Sequence, residues 1–234
     1  MMRLQAMGQA AALDDPVWAA LTTEHRGLAE GGPLAWRYPA EVAPFAAIAD
    51  RTARSFAALA RLLPAERQVA LATADRLAPP AVLAVDKEQA VLQMILEKPL
   101  PAPRPGPEPL LLGAADVAEM LALAGRTRPG PFGPRTIELG RYIGIRAGGA
   151  LVAMAGERMR FDRFVEISAV CVDPAFRGQG YAGLLLSRLA ARIQGQALTP
   201  ILHVFAENEG AIALYDKLGF ATRRRLTITI LHAA

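Results

Sequence analysis

An apolar run at 165–172 ends in Asp173-Pro174-Ala175-Phe176-Arg177-Gly178-Gln179-Gly180, a helical pattern follows from Tyr181 to about Gln194, and a second apolar run occupies 201–206. Strand, glycine turn, helix and buried strand in that order make a crossover rather than a hairpin, so this part of the chain builds a sheet with a helix lying against it. The turn carries chemistry as well as geometry. Gly178 and Gly180 have no side chains to shield the backbone, so successive N–H groups can converge on an anion at the positive end of the helix, beside the fixed charge of Arg177.

Strands are expected ahead of this unit at 110–112, 141–146 and 151–160, with a helix at 115–124 and Gly148-Gly149 as a hairpin turn. The stretch Arg128-Pro129-Gly130-Pro131-Phe132-Gly133-Pro134 is too rich in Pro and Gly for regular structure. A helix at about 210–218 and a final strand at 225–231 follow the crossover. Hairpins first and crossovers later predict an α/β (α+β) fold, a mixed and mostly antiparallel sheet flanked by helices. Pro99, Pro101, Pro103, Pro105, Pro107 and Pro109 alternate through one segment, which removes backbone donors and favours an extended chain. The segment 99–109 is therefore read as a linker between a smaller α/β domain at 1–98 and a second domain at 110–234. The first half is expected to hold helices at 18–28 and 55–63 and strands at 69–73, 81–85 and 90–96. Its order of 44–49, turn, helix and strand 69–73 repeats that of 165–205, with Asp50-Arg51-Thr52-Ala53-Arg54 in place of the glycines. This predicts a degenerate copy without the close backbone approach a phosphate needs, left with a structural or acceptor-shaping role.

At 234 residues and 53% hydrophobic the chain can bury a sizeable core, and no apolar run reaches the ~18 residues of a membrane span. Met1-Met2-Arg3 has the look of an export signal, but Gln5, Gly8 and Gln9 interrupt its apolar core and Asp14-Asp15 follow, so the expectation is a cytoplasmic protein with no membrane partner. The single cysteine, Cys171, excludes an intrachain disulfide, and His25, His203 and His232 lack metal-ligand spacing, so no metal is expected. A net charge of +4 with one dense cluster, Arg223-Arg224-Arg225, and no aromatic interleaving argue against nucleic acid as a partner. That cluster is read as a solvated turn or strand edge.

Three motifs in order give the second half a resemblance to the catalytic domain of the GNAT superfamily of N-acetyltransferases: the strand at 165–172, Arg177-Gly178-Gln179-Gly180-Tyr181-Ala182, and Asn208, Ala211 and Leu214-Tyr215 followed by Leu218-Gly219-Phe220. Within it, Pro129-Gly130-Pro131-Phe132, Ala155-Gly156-Glu157 and Leu202-His203-Val204 are most similar to the glycine N-acyltransferase-like branch, whose first halves are often degenerate copies. The resemblance implies acetyl-CoA as acyl donor and an amine acceptor, a small molecule or a peptide or protein, in a monomer or homodimer. It implies that backbone groups of Val170, Cys171 and Val172 pair with the pantetheine arm as another strand would. The turn from Arg177 through Gly178, Gln179, Gly180, Tyr181 and Ala182 to Gly183 would hold the pyrophosphate. Asn208 would hydrogen-bond the cofactor, and Ala211 with Tyr215 would line its thiol end.

Direct acyl transfer to an amine needs a neutral amine, a held thioester and a proton for the departing thiolate. Tyr215 is the candidate acid. Two candidate bases sit on adjacent strands: Glu166, eleven residues before Arg177 as in the histone-type members the chain resembles, and His203, five residues before Asn208, where peptide-acetylating members carry Glu. Glu157 is a third choice. A strand amide near Ala169 or Val170 is the candidate donor to the developing oxyanion. Cys171 invites a covalent route, but spacing assigns it no His or Asp partner. Arg128, Phe132 and Arg158 are read as loop and surface residues rather than acceptor ligands. The alternative to an enzyme is a noncatalytic acyl-CoA sensor or interaction protein that retains the pocket.

Overall fold

In the computed structural model, which describes residues 11–64, 67–100 and 106–234, strands from both halves of the chain join one sheet. The expectations that fall on residues 1–10 and on Pro101, Pro103 and Pro105 lie outside the described residues. The first half runs α1 (Pro16–Thr22), β1 (Glu30–Gly32), β2 (Ala35–Arg37), β3 (Ala46–Ile48), α2 (Ala53–Leu62), β4 (Val69–Thr73) and β5 (Leu83–Ile95). The second runs β6 (Leu110–Leu112), α3 (Val117–Thr127), β7 (Tyr142–Ala147), β8 (Ala150–Phe161), β9 (Phe164–Val172), α4 (Tyr181–Gly195), β10 (Thr199–Phe205), α5 (Glu209–Lys217) and β11 (Ala221–Ala233). The short strands β1, β2 and β3 form an antiparallel meander, and the others form a sheet in the order β4-β11-β5-β10-β9-β8-β7-β6. Only β9 and β10 are parallel neighbours in that larger sheet, so the architecture is the mixed, mostly antiparallel one that the hairpin and crossover order predicts.

Apolar periodicity decides which face each helix covers. In α4 the residues Leu185, Leu186, Leu189, Ala190 and Ile193 are buried and pack on Ile143, Ala153, Val165 and Ile167 from one face of the sheet. Against the opposite face, α3 places Met120, Leu123 and Ala124 on Tyr142, Met154 and Cys171. Meanwhile α1 sets Val17, Ala20 and Leu21 against Phe45, Met159, Phe161 and Phe164. Among the described residues no helix is long and apolar enough to cross a membrane.

Several elements depart from expectation for local reasons. The helix expected at 18–28 stops at Thr22, because the hydroxyls of Thr22 and Thr23 turn back onto the carbonyls of Trp18 and Ala19 at 2.7 and 2.6 Å, and 26–28 becomes a separate 3-10 turn. The two strands expected at 81–85 and 90–96 are one strand, β5. Its polar middle stays in the ladder with β11, while Glu88 pairs with Arg76 at 2.7 Å and Asp86 with His232 at 2.8 Å. The cluster Arg223-Arg224-Arg225 lies near the start of β11 with Arg223 in a bulge between Thr222 and Arg224; β4 pairs with β11 only from Thr227 onward, so this end is open on one side and Arg224 and Arg225 are exposed, in line with the solvated strand edge expected.

The proline segment interrupts the chain but not the sheet. From before it, β5 lies between β11 and β10 from after it, and β4 closes the far side of β11. Removing the first half would bare both long strands at once, exposing apolar side chains such as Leu226, Leu231, Leu202 and Val204 beside unpaired backbone. A chain beginning at residue 106 is therefore expected to show no cooperative thermal transition by circular dichroism; a transition near that of the full chain would mean the second half folds without β4 and β5.

Candidate active site

Parallel pairing of β10 with β9 runs only through Thr199↔Phe164, Pro200↔Val165 and Ile201↔Glu166, although β9 continues to Val172 and β10 to Phe205. The strands part beyond that point, and a cavity of about 820 Å³ opens between them, within the range of small-molecule sites. Ser168, Val170 and Val172 line one side and His203, Val204 and Phe205 the other. A bulge in β9 shapes this wall. Met154 of β8 faces Cys171 and Gly156 faces Ser168, so Ala169 and Val170 stand opposite Ala155 alone, with Ala169 at φ +52°. The extra residue reverses the alternation: Val165 and Ile167 point to the α4 face, Ala169 and Cys171 to the α3 face, and Val170 and Val172 back toward α4. A left-handed alanine inside a strand is strained, and such strain gathers where backbone must be aimed rather than merely paired.

At the open end of the wedge lies the glycine turn. Gly178 and Gly180 adopt φ +78° and +79°, and a Cβ on either would meet nothing within 4 Å, so backbone conformation and not crowding requires glycine there. Gly180 is the N-cap of α4, and Arg177, Gly178, Gly180, Tyr181, Ala182 and Gly183 all line the cavity. Gln179 is exposed and does not. Across the cavity, Asn208 caps α5 by accepting the Ala211 N–H at 3.2 Å, and both residues border the same space as Tyr215. Burial pushes the Tyr215 phenol up to about 12, so it holds its proton through the neutral range. Separated strands, an anion cradle and a protonated phenol on one continuous wall fit an extended thioester carrier with phosphate at one end.

The two candidate bases are joined to each other at the closed end of the wedge. Glu166 is fully buried, takes both Nε and Nη2 of Arg158, and accepts from His203 Nδ1 at 2.7 Å. Burial alone would raise this carboxyl, but the charge of Arg158 and the hydrogen bonds from Arg158 and His203 outweigh it and hold Glu166 below the ordinary glutamate range. On the far side, Gln93 donates to the Leu13 carbonyl at 2.8 Å and accepts from Arg223 at 2.8 Å, which fixes its amide orientation. The same amide nitrogen stands 3.0 Å from His203 Nε2. That ring nitrogen must accept, so His203 carries its proton on Nδ1, directed at Glu166. Arg223 continues to Asp14 at 2.8 Å.

His203 and Arg158 reach the cavity wall, but Glu166 does not. Glu157 also lies off the cavity, bound to Arg192 of α4 at 2.8 Å. Arg158 is half-buried in the wall with its guanidinium 4.8 Å from the Phe45 ring centre, so its reading as a surface residue is corrected. Phe132 packs edge to face on Tyr142 at 5.7 Å, and Arg128 ends α3 in the left-handed region at φ 49°. For Cys171, burial holds the thiol above its ordinary range, which leaves it poorly suited to attack. Counting back from the Asp162-Arg163 turn would set Met159, not Arg158, opposite Glu166; the register shift between Glu157 and Arg160 brings Arg158 to it, so the pair was not legible in the sequence. Gln93, Arg223 and Asp14 gave no signal either, since each arrives from a distant part of the chain.

A family model described as FR47-like protein matches residues 142–228. Over 82 residues, 34% of this chain and 51% of the relative, the sequence is 39% identical to N-alpha-acetyltransferase RimI of Mycobacterium tuberculosis. Over 80 residues, 33% of this chain and 27% of the relative, it is 38% identical to mycothiol acetyltransferase of Corynebacterium efficiens. The chain thus spans about half or less of these curated relatives. A solved structure of a GNAT-family chain from Novosphingobium aromaticivorans is similar at 38% identity and TM-score 0.89, over 95% of this chain and 98% of its own. A GCN5-related N-acetyltransferase from Kribbella flavida, 18% identical with TM-score 0.60, shares the fold over 92% of this chain and 95% of its own.

Glu166→Gln leaves the Arg158 charge buried without its counter-ion, so it is expected to cost ~3–5 kcal/mol of stability in urea unfolding at neutral pH. In the parent protein this contribution is present above the ordinary value of 4.5 and is lost as pH falls from there through the lower folded value. Parent and variant stabilities should therefore converge in acid, and a difference independent of pH would contradict the ion-pair account.

Proposed function

Since the chain belongs to the GNAT family of acetyltransferases, we propose that it is an acetyl-CoA-dependent N-acyltransferase that moves an acetyl group by direct transfer to a primary amine. The parting of β9 from β10 carries this reading. Backbone groups that leave a ladder need other partners, and the amides of a pantetheine arm are such partners for Val170, Cys171 and Val172. Acetyl-CoA, when bound, supplies an acyl group already activated as a thioester.

In this reading Arg177 and the backbone of the glycine turn bind the pyrophosphate at the start of α4. An amide released by the bulge at Ala169 and Val170 is aimed at the acyl oxygen as charge develops there. Tyr215 gives its proton to the leaving sulfur. Glu166 and His203 are assigned a positioning role rather than that of base, because Glu166 is clamped behind the wall and the His203 Nε2 lone pair is taken by Gln93. The amine therefore attacks in its neutral form.

The first half is read as a degenerate copy of the second. The meander β1, β2 and β3, then α2, β4 and β5, follows the order of β7, β8 and β9, then α4, β10 and β11, and a parallel bridge Phe45↔Ala70 stands where β9 meets β10. At the start of α2, Asp50 accepts from the Thr52 N–H at 3.0 Å and from the hydroxyls of Thr52 and Ser55 at 2.6 and 2.7 Å. The chain's own carboxylate thus satisfies the helix start that the second copy leaves open to an anion. The Pro129-Gly130-Pro131-Phe132 turn and the Ala155-Gly156-Glu157 segment favour the glycine N-acyltransferase-like branch.

A noncatalytic acyl-CoA sensor is the second reading, favoured by the lack, among the described residues, of an unoccupied base on the wall. Calorimetry and thiol release separate the two: acetyl-CoA binding with turnover is expected, binding without turnover on a broad amine panel supports the sensor, and no binding of any acyl-CoA overturns both. Tyr215→Phe is expected to lower kcat about 100-fold while leaving acetyl-CoA affinity within a few-fold, the signature of a lost general acid. With the phenol titrating near 12, the rate should show no alkaline decline below about pH 10. A decline centred near 8 would assign the proton to another group.

A further inference from the structure

The cavity does not end at the thiol side of Tyr215; it continues across the sheet onto strands of the first half. Its floor there is built from Ala70 and Ala72 of β4, Ile228 and Ile230 of β11, and Gln89 and Val91 of β5. Register sets these side by side, with Ala72 opposite Ile228 and Ile228 opposite Gln89, and Ala70 opposite Ile230. Among the described residues no Asp or Glu borders the cavity. Of the three arginines that do, Arg177 belongs to the glycine turn, Arg128 is exposed at the end of α3, and Arg158 is matched by Glu166.

An ammonium ion entering this space would shed water and find no counter-charge among the described lining residues, and Glu166 behind the wall is already saturated by Arg158 and His203. It would also find no group ready to take its proton, because Gln93 occupies the free ring nitrogen of His203. An apolar body, by contrast, gains from contact with the alanine, isoleucine and valine floor. From these observations we propose that the acceptor is a weakly basic primary amine with an apolar body, of the aniline class, and that β4, β5 and β11 form the surface that selects it. This deepens the acyltransferase reading and rests on it. The transfer balances without an added base on the wall: the amine nitrogen forms the new C–N bond, the C–S bond breaks, the sulfur takes the Tyr215 proton, and the nitrogen's proton returns to solvent or to the phenolate.

Two isomeric amines make the test direct. 4-Ethylaniline and 2-phenylethylamine carry the same atoms and similar apolar surface, but only the first is uncharged at pH 7. With acetyl-CoA as donor, kcat/KM for 4-ethylaniline is expected to exceed that for 2-phenylethylamine by about 100-fold, with spermidine and a tripeptide N-terminus lower still. Gln89→Glu, a change of nearly constant shape that sets a carboxylate on the floor, should narrow the preference between the isomers about tenfold. Equal or better use of 2-phenylethylamine, spermidine or the peptide overturns the acceptor assignment while leaving the acyltransferase reading in place. So does a donor series in which octanoyl-CoA outperforms acetyl-CoA and abolishes the amine preference, since the floor would then hold the acyl chain. Failure of acetyl-CoA to bind in calorimetry overturns the acyltransferase reading itself.

Discussion

A backbone N–H or C=O withdrawn from a ladder must find another partner, and β9 and β10 withdraw from each other beyond Glu166 and Ile201. Neither strand is free to close the gap. On its other side, β10 stays paired with β5 as far as Phe205, while β9 is bent by the bulge that puts Ala169 at φ +52°. The wedge is thus held open by sheet on both flanks, with α4 beginning at its mouth and α5 beside it. Every feature of the site is an edge of that opening: the glycine turn, the wall of β9, Tyr215 and the floor.

What keeps the closed end closed is a chain of polar groups centred on the buried Glu166 and Gln93, from Arg158 through Glu166, His203 and Gln93 to Arg223 and Asp14. Apolar residues of similar volume could hold the same place with no less stability, because desolvating the ions offsets much of their attraction. A polar chain does something packing cannot, which is to fix direction. Gln93 Nε2 serves both the Leu13 carbonyl and His203 Nε2 while its oxygen takes Arg223, so the His203 tautomer and the Gln93 amide are set by their neighbours. The members come from β8, β9, β10, β5, β11 and the segment before α1, and the network therefore ties both halves of the chain to the point where the strands part.

The first half accordingly does more than precede the second. It lends β5 as the partner that keeps β10 in place and β4 as the cover for β11, and the same strands turn one face toward the cavity. At the start of its helix α2, Asp50 takes up the Thr52 N–H and the Ser55 hydroxyl. This division fits a site in which one half holds the donor and the other half shapes the space for the acceptor.

The strand, the glycine turn, α4 and the Asn208 to Tyr215 helix were legible because each depends on neighbours close in sequence: apolar period, helix caps and residues suited to positive φ. The same locality made the mixed sheet readable and exposed the missing glycines at 50–54. Locality also explains the failures. The polar middle of β5 broke a pattern that its pairing with β11 preserves. Glu166 and His203 could be ranked as separate bases from sequence, but only the fold brings them within 2.7 Å, sets Gln93 on the other ring nitrogen and puts Glu166 behind the wall. The sequence by itself determined where the backbone turns to positive φ ahead of α4 and which helix carries the Tyr215 phenol, since backbone conformation is a local property. Tertiary structure alone decided the charge and shape of the cavity floor, since these arise from strands far apart in the chain that only sheet register makes neighbours.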